Sequence, residues 1–222
     1  MKKELLSAKR GTPLRKSGVR KLDIIIKTDD YENIFLINGI WFITKITFNS
    51  DLIIQPHDYF MVINNTQNDL EIDYTEDISK FDIIYDPYKY EEAEKIDFKA
   101  EYFKEKYDVS DGYTDTLPKW YSFKYTYPDH NLIFIKPELG ISIQTHDQRN
   151  ENWEIIDGKP IIINGNNVYY FVKSGTKFDI PINTYHSVIN PNPDKFVILK
   201  EQWSGEFDEE DIKRLFNPNQ YK

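Results

Sequence analysis

The strongest constraint on the fold is a succession of short runs in which apolar residues alternate with polar ones, each closed by Asn, Asp, Gly or Pro. In the first half these runs cover 23–27, 34–36, 41–48 and 59–63. In the second half they cover 132–135, 141–144, 153–156, 160–163, 167–172, 177–180, 186–189 and 196–201. A period of two with turn residues at regular intervals predicts strands, and eight or more short strands in the second half predict an antiparallel sandwich or barrel. Asn38-Gly39, between IFLI and IWFITKITF, predicts a type I′ hairpin turn, whose two central positions both need positive φ. Ala93, Ile96, Ala100, Phe103 and Tyr107 recur at spacings of three and four, which predicts one helix over about 88–107, with Phe98 off the stripe. The Ser, Asp, Gly and Pro of residues 108–118 then read as a linker, with a domain boundary near residue 112. A short helix is predicted over 209–216, behind acids that suit its N-terminal dipole.

The 222 residues suffice for one large domain or two small ones, and 40% hydrophobic residues exclude a disordered polymer. The sequence contains no cysteine, which excludes disulfides, thiolate metal sites, iron–sulfur clusters and a cysteine nucleophile. Any metal must therefore use His, carboxylate or amide ligands. Neither a signal-peptide h-region nor a membrane-spanning run is visible, so a soluble, cytoplasmic protein is expected.

Charge is unevenly placed. Residues 1–21 carry eight basic groups (Lys2, Lys3, Lys9, Arg10, Arg15, Lys16, Arg20 and Lys21) against Glu4 alone, leaving the remaining residues at −16 of the overall −9. The reading is a basic N-terminal arm (1–21), a β-rich module (22–112) ending in the helix, and a second β domain (113–222). Such an arm suits an acidic protein or a nucleic acid, or is a solvated tail.

Two patterns carry chemistry: Gln144-x-His146-x4-Glu151-x-Trp153-x4-Gly158, and Gly175-x5-Pro181-x4-His186-x3-Asn190. Residues 144 and 146 point to one face of a strand, Glu151 returns to that face across a hairpin, and a neighbouring strand can bring His186. An amide, two imidazoles and a carboxylate form a ligand set for a divalent ion of the Zn, Mn, Fe or Ni class. Trp153 reads as core. His57, after Pro56, reads as an exposed turn residue, and His130 as outside the site.

These patterns resemble the paired motifs of the cupin superfamily, His-x-His-x3-4-Glu-x6-Gly and Gly-x5-Pro-x-Gly-x2-His-x3-Asn. More narrowly, residues 136–158 are similar to the signature of the cupin domain of type II mannose-6-phosphate isomerases. Lys136, Pro137, Ser142, Gln144, His146, Arg149, Glu151, Trp153 and Gly158 match it by position, Gln144 standing where other cupins have a first His. Glu201, Ser204-Gly205 and residues 210–214 resemble the closing segment of that family. Three positions depart from it: Glu138 and Asn183 replace motif glycines, and Asn152 replaces a second His. The Arg10–Arg15 stretch only superficially echoes the nucleotidyltransferase loop of full-length relatives, and its preceding glycines are absent.

The resemblance implies a cupin, a double-stranded β-helix or jelly-roll barrel, over residues 113–222. It further implies metal ligation by Gln144, His146, Glu151 and His186, and a sugar phosphate held by Arg149, Lys136 and the terminal Lys222. The implied reaction is mannose-6-phosphate/fructose-6-phosphate interconversion, with the general base unassigned. A homodimer or larger assembly is in keeping with cupin sheet edges. The alternative is a non-catalytic cupin serving in assembly, for example of a phage or virus particle, with the basic arm as its contact.

Overall fold

The computed structural model describes residues 2–48, 50, 52–206 and 211–220. The chain divides into two compact units, Met1–Lys89 with Gly165–Val168, and Tyr90–Asn164 with Tyr169–Lys222. This division falls at 89/90, before the residue near 112 that the composition suggests: Tyr90 donates to Glu138, and Phe103 packs into the second unit's aromatic cluster.

The first unit holds β1 (Lys2–Leu6), β2 (Arg10–Gly11), β3 (Leu14–Lys16), β4 (Leu22–Lys27), β5 (Ile34–Asn38), β6 (Trp41–Ile43), β7 (Ile53–Ile54), β8 (Tyr59–Asn64), β9 (Leu70–Tyr74) and β10 (Asp82–Tyr85). One sheet runs in the order β1-β9-β4-β7; in the other, β10-β3-β8-β5-β6 are successive neighbours, and β2 also pairs with β8. Strict alternation on β4 turns Leu22, Ile24 and Ile26 inward, where they meet Leu36, Phe60 and Val62.

The expected basic arm is not a tail. Lys2–Leu6 pairs along β9 from Lys2↔Tyr74 to Leu6↔Leu70. Three of its cations pair within the unit: Arg15 lies 3.1 Å from Glu4, which also accepts from Tyr74 Oη at 2.7 Å, Lys3 lies 3.1 Å from Glu71, and Arg20 lies 3.7 Å from Glu76. Leu6 and Leu14 are buried, and that apolar content anchors the stretch. The assembly reading loses its free arm.

The hairpin is displaced by one residue. Asn38 ends β5 opposite Trp41, so the loop is Gly39-Ile40, and only Gly39 takes positive φ, at 57°. A type I′ turn needs two such residues, and a β-branched Ile40 does not supply the second.

The second unit contains α1 (Ala100–Lys106), β11 (Asp115–Pro118), β12 (Ser122–Thr126), β13 (Asn131–Ile135), β14 (Ile143–His146), β15 (Arg149–Asp157), β16 (Ile161–Asn164), β18 (Lys177–Ile180), β19 (His186–Ile189), β20 (Val197–Gly205) and β21 (Ile212–Phe216), while β17 (Asn167–Tyr169) lies at the changeover between units. One antiparallel sheet runs β11-β12-β13-β20-β15-β18 and the other β16-β19-β14-β21. Ile133, Trp153, Phe178 and Leu199 of the first meet Ile162 and Val188 of the second, closing a jelly-roll core. The fold is mainly β, with one α-helix among the described residues.

Three expectations are corrected here. The helix spans seven residues, not about twenty, since Ala93 and Ile96 find no apolar cover and Ile96 stays 67% exposed. Its Phe103 is fully buried against Phe123, Phe134 and Phe196 on the outer face of the large sheet. Part of the expected linker is strand β11, paired residue for residue with β12. The expected terminal helix is instead β21, which completes the second edge of β14; residues 207–210 lie outside the described residues. A helix of that length is marginal alone, and a vacant ladder of β14 amides and carbonyls offers more hydrogen bonds.

Candidate functional site

β14 carries Gln144 and His146 on one face, and Gln144 lies directly opposite His186 of β19. β15 supplies Arg149, Glu151 and Trp153, again two residues apart and all buried. The second half of the chain thus brings together Gln144, His146, Glu151 and His186. Ligand atoms of His146, Glu151 and His186 all lie within 4.8 Å of one another.

The hydrogen bonds orient these groups. His186 Nδ1 lies 2.8 Å from the Thr184 carbonyl, which fixes Nδ1 as the protonated nitrogen and leaves the Nε2 lone pair facing the cluster. Arg149 Nη2 stands 3.1 Å from His146 Nε2, so that nitrogen is also an acceptor. His146 Nδ1 is buried without a hydrogen bond, 3.9 Å from Asp211 Oδ2. Glu151 directs Oε1 to His146 Nε2 at 3.1 Å and Oε2 to His186 Nε2 at 3.6 Å. Arg149 Nε and Trp153 Nε1 donate to the same carboxylate at 2.9 and 3.1 Å. Trp153 is core, as expected, and also steadies the carboxylate. Gln144 lies 3.4 and 3.5 Å from the two Nε2 atoms while its Oε1 accepts from Ser142 Oγ at 2.6 Å. The Ser142 hydroxyl can accept as well as donate, so a reversed carboxamide turns Oε1 toward the imidazoles.

Burial pushes the Glu151 carboxyl up, but its contacts with His146 and His186 and the hydrogen bond from Arg149 outweigh it and hold the group down at about 2. Burial lowers His186, against the opposing pull of Glu151. A carboxylate ionised in the dry interior beside two acceptor nitrogens is a donor set for a divalent cation, and these residues fit one.

The cluster opens into a pocket of about 90 Å³. Besides Gln144, Arg149 and Glu151, its walls include Lys119, Lys124, Arg214 and Glu201. Glu201 accepts from Asn131 Nδ2 at 2.7 Å. Burial and the nearby Glu151 charge push its carboxyl up to about 7, against the Asn131 bond and the Lys124 charge. Its signal was present in the sequence: Val197, Leu199 and Glu201 share one face of a strand whose other members are core.

The three expected substrate cations separate. Arg149 sits inside the cluster, bonded to its members. Lys136 is not among the pocket walls; its Nζ stands 5.5, 5.9 and 5.8 Å from the ring centres of Tyr90, Phe98 and Trp120. Lys222 lies outside the described residues. His130 stacks on Tyr127 away from the cluster, and His57 is an exposed turn residue with φ of 65°. The two replaced glycines retain the backbone that glycine favours: Glu138 has φ of 62° and Asn183 of 59°. Tyr90 Oη donates to Glu138 at 2.6 Å, and the Asn183 amide donates to the His146 carbonyl at 2.7 Å.

Residues 122–217 match the family model described as mannose-6-phosphate isomerase C-terminal. The alginate biosynthesis protein AlgA of Pseudomonas putida is 29% identical over 83 residues, covering 37% of this chain and 17% of that protein. The mannose-1-phosphate guanylyltransferase RfbM of Salmonella typhimurium is 26% identical over 176 residues, covering 78% of this chain and 32% of that protein. The chain therefore spans a third or less of the length of these curated relatives. Among solved structures, a sugar phosphate isomerase of the cupin superfamily from Silicibacter pomeroyi aligns with a TM-score of 0.34 at 12% identity, over 39% of this chain and 60% of that one. The capsular polysaccharide assembling protein CapF of Staphylococcus aureus aligns at 0.38 and 20% identity, over 49% and 34%. The C-terminal half resembles the cupin domain of type II mannose-6-phosphate isomerases.

Proposed function

We propose that the second unit is a metal-dependent sugar-phosphate isomerase, interconverting an aldose and a ketose phosphate of the mannose 6-phosphate/fructose 6-phosphate type. The observation that carries this reading is the convergence of His146 Nε2, His186 Nε2 and the Glu151 carboxylate, with Gln144 beside them, where Gln144 and Glu151 also line a polar pocket. Gln144, His146, Glu151 and His186 would hold a divalent ion, which when bound supplies Lewis acidity toward the carbonyl and adjacent hydroxyl oxygens of the sugar.

The chain's own groups do the rest. Arg149 and Trp153 hold the Glu151 carboxylate in place by their N–H donors. Thr184 and Arg149 keep both imidazoles with Nε2 as acceptor. Isomerisation needs a group that takes a proton from one carbon and returns it to the next. Glu201 is the pocket carboxyl outside the Arg149–Glu151–His146 network, and it can carry that proton on a carboxyl oxygen near neutral pH. The Asn131 amide fixes its orientation.

A coupled assay with mannose 6-phosphate and added Zn, Mn, Fe or Ni salts tests the reading. Turnover that needs the metal and is lost in His146→Ala and His186→Ala is expected. Folded, metal-loaded protein with no turnover on any hexose phosphate refutes it.

A further inference from the structure

Arg149 is bonded into the cluster and Lys136 is held among aromatic rings, so a phosphorylated substrate needs other cations. We propose that Lys119, Lys124 and Arg214 form an anion subsite that takes the phosphate group of a phosphorylated sugar whose opposite end reaches the His146–Glu151–His186 cluster. This deepens the isomerase reading and rests on it for the identity of the sugar.

The chain as a whole is acidic, at −9, yet these three cations line one small pocket with Arg149, against only two carboxyls, Glu151 and Glu201. They come from three separate places: Lys119 from the turn closed by its amide bond to the Ser122 carbonyl, Lys124 from β12 and Arg214 from β21. Register explains the convergence. Arg214 lies opposite Gln144, which lies opposite His186 on its other side, so the three residues form one row across β21, β14 and β19. Ser122 and Lys124 alternate onto one face of β12, where Lys124 faces Ile133, itself a pocket wall.

The local fields agree with this placement. Lys124 stabilises the charged form of Glu201, and Arg214 that of Tyr121, another pocket wall. At the inner end of the pocket Glu151 stands beside Arg149 and Gln144, groups committed to the cluster, whereas Lys119, Lys124 and Arg214 line the pocket apart from it. One pocket can thus hold a molecule by its anionic end while leaving its neutral oxygens at the cluster. Lys119 and Tyr121 precede the stretch 122–217 that matches the isomerase family model, so β11 and its turn complete this subsite from outside that stretch.

Calorimetric titration of the full chain with inorganic phosphate, mannose 6-phosphate and mannose tests the subsite. Mannose 6-phosphate is expected to bind at least tenfold more tightly than mannose, with inorganic phosphate competing. Arg214→Ala and Lys119→Ala are each expected to weaken mannose 6-phosphate about tenfold, with Arg214→Lys intermediate because lysine loses the bidentate fork. Divalent-metal affinity should be unchanged in these variants, and so should phosphate binding in Lys177→Ala, whose ion pair with Glu154 involves no pocket residue. Arg214 is exposed, so its replacement leaves the core intact and keeps the test readable. Equal binding of mannose and mannose 6-phosphate, or unchanged affinity in the Arg214 and Lys119 variants, overturns the subsite. Weakened phosphate binding in those variants without turnover in the wild type overturns the isomerase reading and leaves the subsite standing.

Discussion

Replacing Glu201 by Gln removes one proton-binding group from the pocket while keeping its shape and its acceptor for Asn131 Nδ2. In the fold this carboxyl is raised from 4.5 to about 7, first by burial and then by the Glu151 charge. A carboxyl raised by folding contributes stability that is fully present below 4.5 and is lost as pH rises through about 7. With those two values, linkage makes the wild type about 2–3 kcal/mol less stable near pH 8 than near pH 5, relative to a variant that cannot titrate there. Glu201→Gln should therefore gain on the wild type by that order of magnitude between those two pH values, whatever constant offset the substitution itself introduces. The assay is urea unfolding of the metal-free protein at both pH values, followed by fluorescence of the buried Trp153. Adding Glu151→Gln to both proteins should shrink the gain, because that charge is the second cause of the shift. An offset that is the same at both pH values refutes the placement of Glu201 as a desolvated carboxyl beside Glu151.

Phe103→Ala should destabilise the second unit by about 3–5 kcal/mol, since the ring is fully buried among Phe123, Phe134 and Phe196, and thermal or urea unfolding reads it out. Glu138→Gly in a Tyr90→Phe background should raise stability by about 1 kcal/mol, because φ of 62° is left-handed backbone and the Tyr90 bond that holds Glu138 has already been removed; an unchanged or lower unfolding midpoint refutes strain at that position.

How far the sequence could be read depended on how local the determining forces were. Strands such as 177–180 and 186–189 were legible because alternation and turn residues act within a few positions. Of the cluster, only the shared strand face of 144 and 146 is local; Glu151 and His186 are legible through the resemblance to the cupin motifs. What escaped depended on distant pairing. The basic stretch became strands because β9 and Glu71 lie almost seventy residues away. Arg214 could not be placed opposite Gln144 while its segment read as a helix, and Lys119 and Lys124 sat beside an expected linker. The helix was overextended because a stripe at helical spacing says nothing about whether Ile96 has a surface to cover it.

The central claim is that His146, Glu151 and His186, with Gln144, hold a divalent cation. Titrating Co²⁺ into chelator-treated protein while recording visible absorption and metal content measures this directly. The expected result is one tightly bound ion per chain, competed by Zn²⁺, with loss of the spectrum in His146→Ala and His186→Ala variants that retain the wild-type fold by circular dichroism. Folded wild-type protein that binds no ion, or binds one just as well after both histidines are replaced, contradicts the account.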